Sequence, residues 1–362
     1  MIKSGALFFF LFALLTTVFH VQSSSTPFNF TTNSSSPLPF NSITIDSSIS
    51  ASNQTSNSNS SYWLSPSGVF AFGFYPLCYN CDQYNVAIWI NRPSSEVVVW
   101  SNNNNEQPIY SGSSIQLSQD GVFTIQLADS TTKPLFNYTL GPAAYALMQD
   151  TGNFVVYNSD SNIVWQSFDH PTDTLLQGQT LKPDERLVVP NTDQKLIMQK
   201  YGNLELIEIR EHYTDDELIM GMYVQGKPYL SEDIKWQSKT RREGGGVVLN
   251  LDSTGHMNLV DKAGIVIKKL TKGDKKHNKG SNGNLETTIH RATLESDGVF
   301  RLYAERIAPP TTHESKSSVL LWESYCKKCH QREEMLFDVE VSIGWSFLAC
   351  LLFILLVCPG CC

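Results

Sequence analysis

The residues best suited to recognition chemistry lie in Met148-Gln149-Asp150-Thr151-Gly152-Asn153-Phe154-Val155-Val156-Tyr157. Side chains alternate between the two faces of a β-strand, so Gln149, Thr151, Asn153, Val155 and Tyr157 fall on one side. That row holds two amides, a hydroxyl, an isopropyl group and a phenol. Amides and phenols both donate and accept hydrogen bonds, and an apolar patch can lie against C–H faces. The chemistry suits a ligand rich in hydroxyl groups. A polar, solvent-facing side of an antiparallel strand gives the same pattern, so the pattern alone leaves both readings open.

Such a row needs neighbouring strands to hold it. From Ile43 to about residue 305 the chain reads as short strands broken by Gly, Asn, Asp, Ser and Pro, with no amphipathic helical period. A faint repeat runs through it. Leu117 to Phe123, Met148 to Tyr157, Leu251 to Met257 and Leu294 to Phe300 each carry a polar pair, a glycine and then an alternating strand. The glycine marks a tight turn of positive φ. One such unit cannot bury its own apolar side, so several must pack together. The first of these repeats has Val122 where the row has asparagine. The third offers Asp252, Thr254, His256, Asn258 and Val260, and the last Glu295, Asp297, Val299, Arg301 and Tyr303; these three are expected to be structural.

The 149–157 row resembles the mannose motif of monocot bulb lectins, Gln-x-Asp-x-Asn-x-Val-x-Tyr. Gln149, Asn153, Val155 and Tyr157 match it, and Thr151 stands where the family has aspartate. Trp165-Gln166-Ser167-Phe168-Asp169-His170-Pro171-Thr172-Asp173-Thr174 resembles a signature of plant G-type (bulb-type) lectin receptor-like kinases. Tyr62 to Phe74, Val98-Val99-Trp100, Leu249 to Ser253 and Gly298 to Tyr303 extend the resemblance over residues 43 to 305. It implies an all-β fold of tandem β-prisms, each with three antiparallel sheets about a pseudo-threefold axis. Trp89, Trp100 and Trp165 are the expected central tryptophans of the first prism. One prism followed by an unrelated β domain is the alternative. The resemblance further implies a mannose-type glycan held by Gln149, Thr151, Asn153 and Tyr157 over Val155.

The expected organisation is a secretory signal peptide at 1–23, a flexible leader at 24–41, lectin domains at 42–169 and 170–308, and a linker with part of a cysteine module at 309–340. An apolar run at 341–358 reads as a single membrane span, followed by a short tail at 359–362. A GPI-attachment tail and a truncated gene product are alternatives for this C-terminal region. The signal peptide, with Asn-x-Ser/Thr sequons at Asn29, Asn33, Asn53, Asn59 and Asn137, points to an extracellular glycoprotein. Cys78/Cys81 and Cys326/Cys329 are disulfide candidates in that compartment, with connectivity left open. A net charge of −8 argues against nucleic acid as a partner.

No catalytic machinery is legible. The chain lacks the Gly-rich loop, Val-Ala-x-Lys, His-Arg-Asp and Asp-Phe-Gly motifs of a kinase. No cofactor and no metal site is expected, and zinc at the C-x-x-C pairs is disfavoured. The lysines of 268–280 read as a solvated hairpin loop, with an acidic glycan as the alternative. The function expected is non-catalytic binding of mannose-type glycans or glycoproteins. The alternatives are a protein-docking co-receptor that pairs with receptor kinases, and the ectodomain of a longer receptor kinase.

Overall fold

A computed structural model describes residues 38–52, 61–79, 81–92, 96–102, 108–138, 140–213, 217–219, 222–224, 228–241, 245–274, 287–307 and 318–324. The expected signal peptide and membrane span lie outside these residues, as does the expected leader up to residue 37. So do Cys326, Cys329 and the sequon asparagines Asn29, Asn33, Asn53 and Asn59. Among the described residues no helix is long and apolar enough to cross a membrane.

The architecture is all-β, and its strand order is nested. β1 (Ile43–Thr44), β2 (Ser48–Ser50) and β3 (Tyr62–Leu64) each start a different sheet. β4 (Phe70–Pro76), β5 (Tyr84–Ile90) and β6 (Val97–Ser101) then complete the sheet begun by β3. β7 (Ser114–Leu117), β8 (Phe123–Gln126) and β9 (Thr132–Pro134) complete that of β2, and β10 (Tyr145–Met148), β11 (Phe154–Tyr157) and β12 (Ile163–Gln166) that of β1. The second half repeats the scheme. β13 (Thr174–Leu176), β14 (Thr180–Leu181) and β15 (Arg186–Val188) start three sheets. β16 (Gln194–Met198), β17 (Leu204–Tyr213) and, after the small hairpin β18 (Glu217–Ile219) and β19 (Met222–Val224), β20 (Pro228–Gln237) complete the sheet of β15. β21 (Val248–Leu251), β22 (Met257–Val260) and β23 (Val266–Lys269) complete that of β14. β24 (Thr287–Leu294), β25 (Phe300–Ile307) and β26 (Ser318–Glu323) complete that of β13. All neighbours are antiparallel. Each half is thus three four-stranded sheets around one core, which is a β-prism.

The turn glycine recurs once per sheet. Gly68, Gly121, Gly152, Gly202, Gly255 and Gly298 all have φ between +71° and +84°, and each N–H donates to the carbonyl three residues back. Two of these turns, at Gly68 and Gly202, belong to the repeat but escape a sequence reading that stops at four copies.

The first core is aromatic. Phe72, Phe123 and Phe154, one from each sheet, meet at its centre; the Phe72 and Phe154 rings stack 3.9 Å apart. Trp100 and Trp165 join this core with their rings 5.9 Å apart and nearly perpendicular. Trp89 does not. Val86, Ile88 and Ile90 take the inward positions of β5, so Trp89 lies on the opposite face of the sheet, buried with Tyr62 and Tyr75 in a separate cluster. The second core is aliphatic, built largely from leucines such as Leu196, Leu206, Leu259 and Leu302 around Phe300.

Two features differ from the expected boundaries. Leu176 and Ile289, placed by sequence in the second domain, are buried in the first core. The last sheet also extends past residue 308, where a linker is expected: β26 pairs with β25, matching Leu302 with Trp322.

Candidate lectin site

The row lies at the turn and strand that open β11. Gly152 at φ +84° lets the chain reverse between Gln149 and Asn153. Asp150, exposed at the tip, accepts both the Ser67 N–H (2.9 Å) and the Ser67 hydroxyl (2.5 Å), tying this turn to the one before β4. Burial alone would raise the Asp150 carboxyl, but the serine hydrogen bonds outweigh it and hold it below the usual range.

Gln149 Nε2 donates to Tyr157 Oη at 3.3 Å, and the Thr151 hydroxyl donates to Gln149 Oε1 at 3.2 Å. Thr151 is exposed, and Gln149 and Tyr157 are partly so. Tyr157 stacks on Tyr145 with ring centroids 4.9 Å apart. Burial, then the neighbouring Tyr145, raises the Tyr157 phenol above its ordinary value, so its O–H stays a donor at neutral pH. That hydrogen, the second Gln149 N–H and the Thr151 oxygen are what the row offers a ligand.

Asn153 and Val155 have other roles. Asn153 is 7% exposed. Its Oδ1 accepts from Ser167 Oγ (3.1 Å) and the Phe168 N–H (3.2 Å), and its Nδ2 donates to Gln166 Oε1 (2.9 Å). The same Ser167 hydroxyl accepts the Phe154 N–H at 3.0 Å. Asn153 therefore pins the turn to the start of the Trp165–Thr174 segment. Val155 is 0% exposed, so it props the row from beneath and offers no surface to a ligand.

The Trp165–Thr174 segment is a brace between prisms. A 3-10 turn at Ser167–Asp169 follows β12. His170 O accepts the Trp100 indole N–H at 2.8 Å, and Asp169 pairs with Lys182 at 2.5 Å. Farther on, Thr174 Oγ1 and Thr293 Oγ1 lie 3.0 Å apart, joining β13 to β24.

The structure places the other expected positions that fall among the described residues as follows. Cys78 and Cys81 form a disulfide. Asn137 is exposed, as a glycan acceptor must be. In the turn before β22, the Asp252 carboxylate accepts from the Thr254 hydroxyl and the His256 N–H; before β25, Asp297 holds Arg301. Arg301 also reaches Glu323 on β26 at 3.2 Å. Among the described residues no group of three or more His, Cys, Asp or Glu is placed to hold a metal.

A second row exists that the sequence reading passes over. Met198-Gln199-Lys200-Tyr201-Gly202-Asn203 repeats Met148-Gln149-Asp150-Thr151-Gly152-Asn153, with Met, Gln, Gly and Asn in register. The structure repeats the scaffold too. Asn203 Oδ1 accepts from Ser238 Oγ (2.9 Å) and the Thr240 N–H (3.0 Å), and Ser238 Oγ accepts the Leu204 N–H (2.9 Å). Glu205 takes the place of Val155. Its buried carboxylate accepts from Gln199 Nε2 (3.0 Å), Tyr201 Oη (3.0 Å) and Asn203 Nδ2 (2.7 Å). The signal was present in the sequence, but the lost valine and tyrosine hide it from a search for the full motif.

Comparison with known proteins matches part of the chain to a family. The D-mannose binding lectin family matches residues 97–200, which include the whole first row. The chain carries a D-mannose binding lectin domain. This lectin-domain protein is 34% identical over 252 residues to the rice (Oryza sativa subsp. japonica) G-type lectin S-receptor-like serine/threonine-protein kinase LECRK1, covering 68% of the chain and 29% of the relative. It is likewise 34% identical over 266 residues to LECRK4 of subsp. indica, covering 71% and 31%. The chain thus spans less than a third of the length of these relatives. Similar solved structures include the Polygonatum cyrtonema lectin complexed with monomannoside, 20% identical over 40% of this chain and 99% of that one, with a TM-score of 0.25. The snowdrop (Galanthus nivalis) mannose-specific agglutinin is 17% identical, with the same coverages and TM-score. The prism assignment rests on the strand order itself.

Proposed function

We propose that the lectin-domain protein binds mannose-type glycans outside the cell through Gln149, Thr151 and Tyr157, and that its role is recognition without catalysis. The observation that carries this reading is the pair of outward hydrogen bonds linking those three side chains. They form one continuous polar edge with spare donors and acceptors, inside the matched family region. Thr151 offers a neutral hydroxyl where the family's motif has a carboxylate. A hydrogen bond to a charged group contributes about 1.5–3 kcal/mol against about 1 for a neutral one. The site is therefore expected to be weak.

The test is titration calorimetry of the intact chain with a mannose trisaccharide, comparing the wild type with Gln149→Ala/Tyr157→Phe. Saturable heat that the double variant abolishes supports the reading, and no heat in the wild type overturns it. A second reading is a protein-docking module that pairs with receptor kinases. It is favoured by the absence of any exposed surface on Val155 and by the engagement of Asn153 within the fold. It gains ground if the wild type gives no heat.

A further inference from the structure

We infer that the second prism positions the glycan row of the first, with Gln179 as the positioning residue and Lys182 as its weaker partner. The inference rests on the lectin reading of that row. Its geometry lies in what holds Asn153.

The Asn153 backbone joins the row directly. Its N–H donates to the Thr151 hydroxyl at 3.3 Å, and its carbonyl accepts the Gln149 N–H at 3.0 Å. Where Asn153 sits therefore sets Gln149 and Thr151. Each end of its side-chain amide then leads, through one or two residues, to the second prism. Oδ1 accepts the Phe168 N–H, and the Phe168 carbonyl accepts Gln179 Nε2 at 3.1 Å. Nδ2 donates to Gln166, Gln166 Nε2 donates to Asp169 Oδ2 at 2.8 Å, and Asp169 Oδ1 pairs with Lys182 Nζ.

Gln179 and Lys182 flank β14, which pairs with β21 of the second prism. Gln179 is 5% exposed, and its Oε1 accepts the Leu176 N–H at 3.1 Å, so its amide is fixed at both ends. The two links differ in strength. A buried hydrogen bond is costly to break because water cannot replace the lost partner. Lys182 and Asp169 are exposed, where solvent screens the pair and its contribution is small. Gln179 therefore dominates.

The second row supplies the contrast. There the Thr240 N–H meets Asn203 Oδ1 as the Phe168 N–H meets Asn153, but the Thr240 hydroxyl donates to the Gly202 carbonyl at 2.8 Å. That brace closes on its own turn, whereas the brace of the first row is handed to the neighbouring prism. A shift of one prism against the other thus reaches the sugar row through Gln179.

The experiment measures affinity for a mannose trisaccharide by titration calorimetry on the intact chain, with amide hydrogen exchange at Gly152 and Asn153. Gln179→Ala is expected to weaken binding about tenfold and to speed exchange at both amides, leaving Gly202 and Asn203 unchanged. Gln179→Glu keeps an acceptor for the Leu176 N–H and removes the donor to Phe168, so it is expected to match Gln179→Ala. Lys182→Ala is expected to weaken binding about twofold and Lys182→Arg to restore it. Lys200→Ala breaks an exposed ion pair with Asp184 in the same prism and is expected to change neither readout. Wild-type affinity or wild-type exchange in Gln179→Ala overturns the inference. So does exchange that rises equally at Gly202 and Asn203, the mark of general loosening. If Gln179→Ala does not fold, Gln179→Glu and the Lys182 pair carry the test. If the wild type gives no heat, the lectin reading falls and exchange alone decides: faster Gly152 and Asn153 amides support the positioning, and unchanged ones overturn it.

Discussion

Arg92 Nη2 lies 2.9 Å from Glu305 Oε2, and both side chains are buried. Arg92 follows β5 in the first prism and Glu305 lies on β25 in the second, so the ion pair crosses between them. Arg291 Nε approaches the other oxygen of Glu305 at 2.7 Å, and the Arg291 guanidinium lies 4.2 Å from the centre of the Tyr303 ring. Ser318 adds a hydrogen bond from β26 at 2.6 Å. One buried carboxylate thus neutralises cations from both halves. Removing a single partner from such a set strands the others without water, a cost of roughly 3–5 kcal/mol. Glu305→Ala is expected to lose that much in urea unfolding, and to split one cooperative transition into two. An unchanged midpoint would show that the pair contributes nothing to coupling.

Gly152 gives a second stability test. A Cβ there would sit 2.3 Å from Leu176 Cδ1 and 2.8 Å from Phe70 Cε1, at a φ of +84° that other residues avoid. Overpacking and backbone strain each cost about 1–3 kcal/mol. Gly152→Ala is expected to lower the thermal midpoint, whereas Gly178→Ala, where nothing lies within 4 Å of the added Cβ, is expected to show the backbone term alone.

Within the row, position and role come apart. Asn153→Ala removes a group that satisfies buried Ser167 and Phe168 donors, so it is expected to cost about 1–3 kcal/mol of stability as well as any binding. Gln149→Ala is expected to stay within about 0.5 kcal/mol of wild type in stability and to lose binding. Thr151→Asp restores the family's carboxylate and is expected to raise mannose affinity several-fold. Calorimetry alongside thermal melts separates the three.

On the proposed reading, the phenol governs the pH dependence of glycan binding. Tyr157 is raised above its ordinary value by burial, so its O–H persists through neutral pH and beyond. Mannose affinity is therefore expected to be flat from about pH 6 to about pH 9. A fall within that window would mean that another group controls the site.

Asp173 gives the opposite sign for stability. Burial raises its folded carboxyl above the ordinary value. The folded state then favours the protonated form, so this group's contribution is fully present below the unfolded value, about 3.9, and is lost as pH rises through the folded one. Asp173→Asn is expected to stabilise the protein at neutral pH, with the gain shrinking in acid. Thermal melts at both ends of the range test this.

The fold was legible because turn chemistry is local. A glycine of positive φ after a polar pair announces itself in four residues, and the alternation that follows tells strand from helix. The side a residue faces was less legible. The resemblance implies Trp89 in the central core, but the register of β5 buries it on the other face of its sheet, against Tyr62 and Tyr75. Asn153 and Val155 sit at the right period, yet whether a position is open depends on Gln166, Ser167 and Phe168 of the next strand and turn. The second row was missed for a related reason. What it conserves is the asparagine–serine scaffold, while the side chains that would meet a ligand have changed.

The first core is closed by Leu176 and Ile289, which come from well beyond the strands of its own three sheets. A polypeptide growing on the ribosome reaches Trp165 long before it reaches Ile289. Until then the aromatic centre lacks part of its lid, and the nascent N-terminal lobe exposes the surface those residues later cover. The two lobes are thus expected to mature together, late in translation.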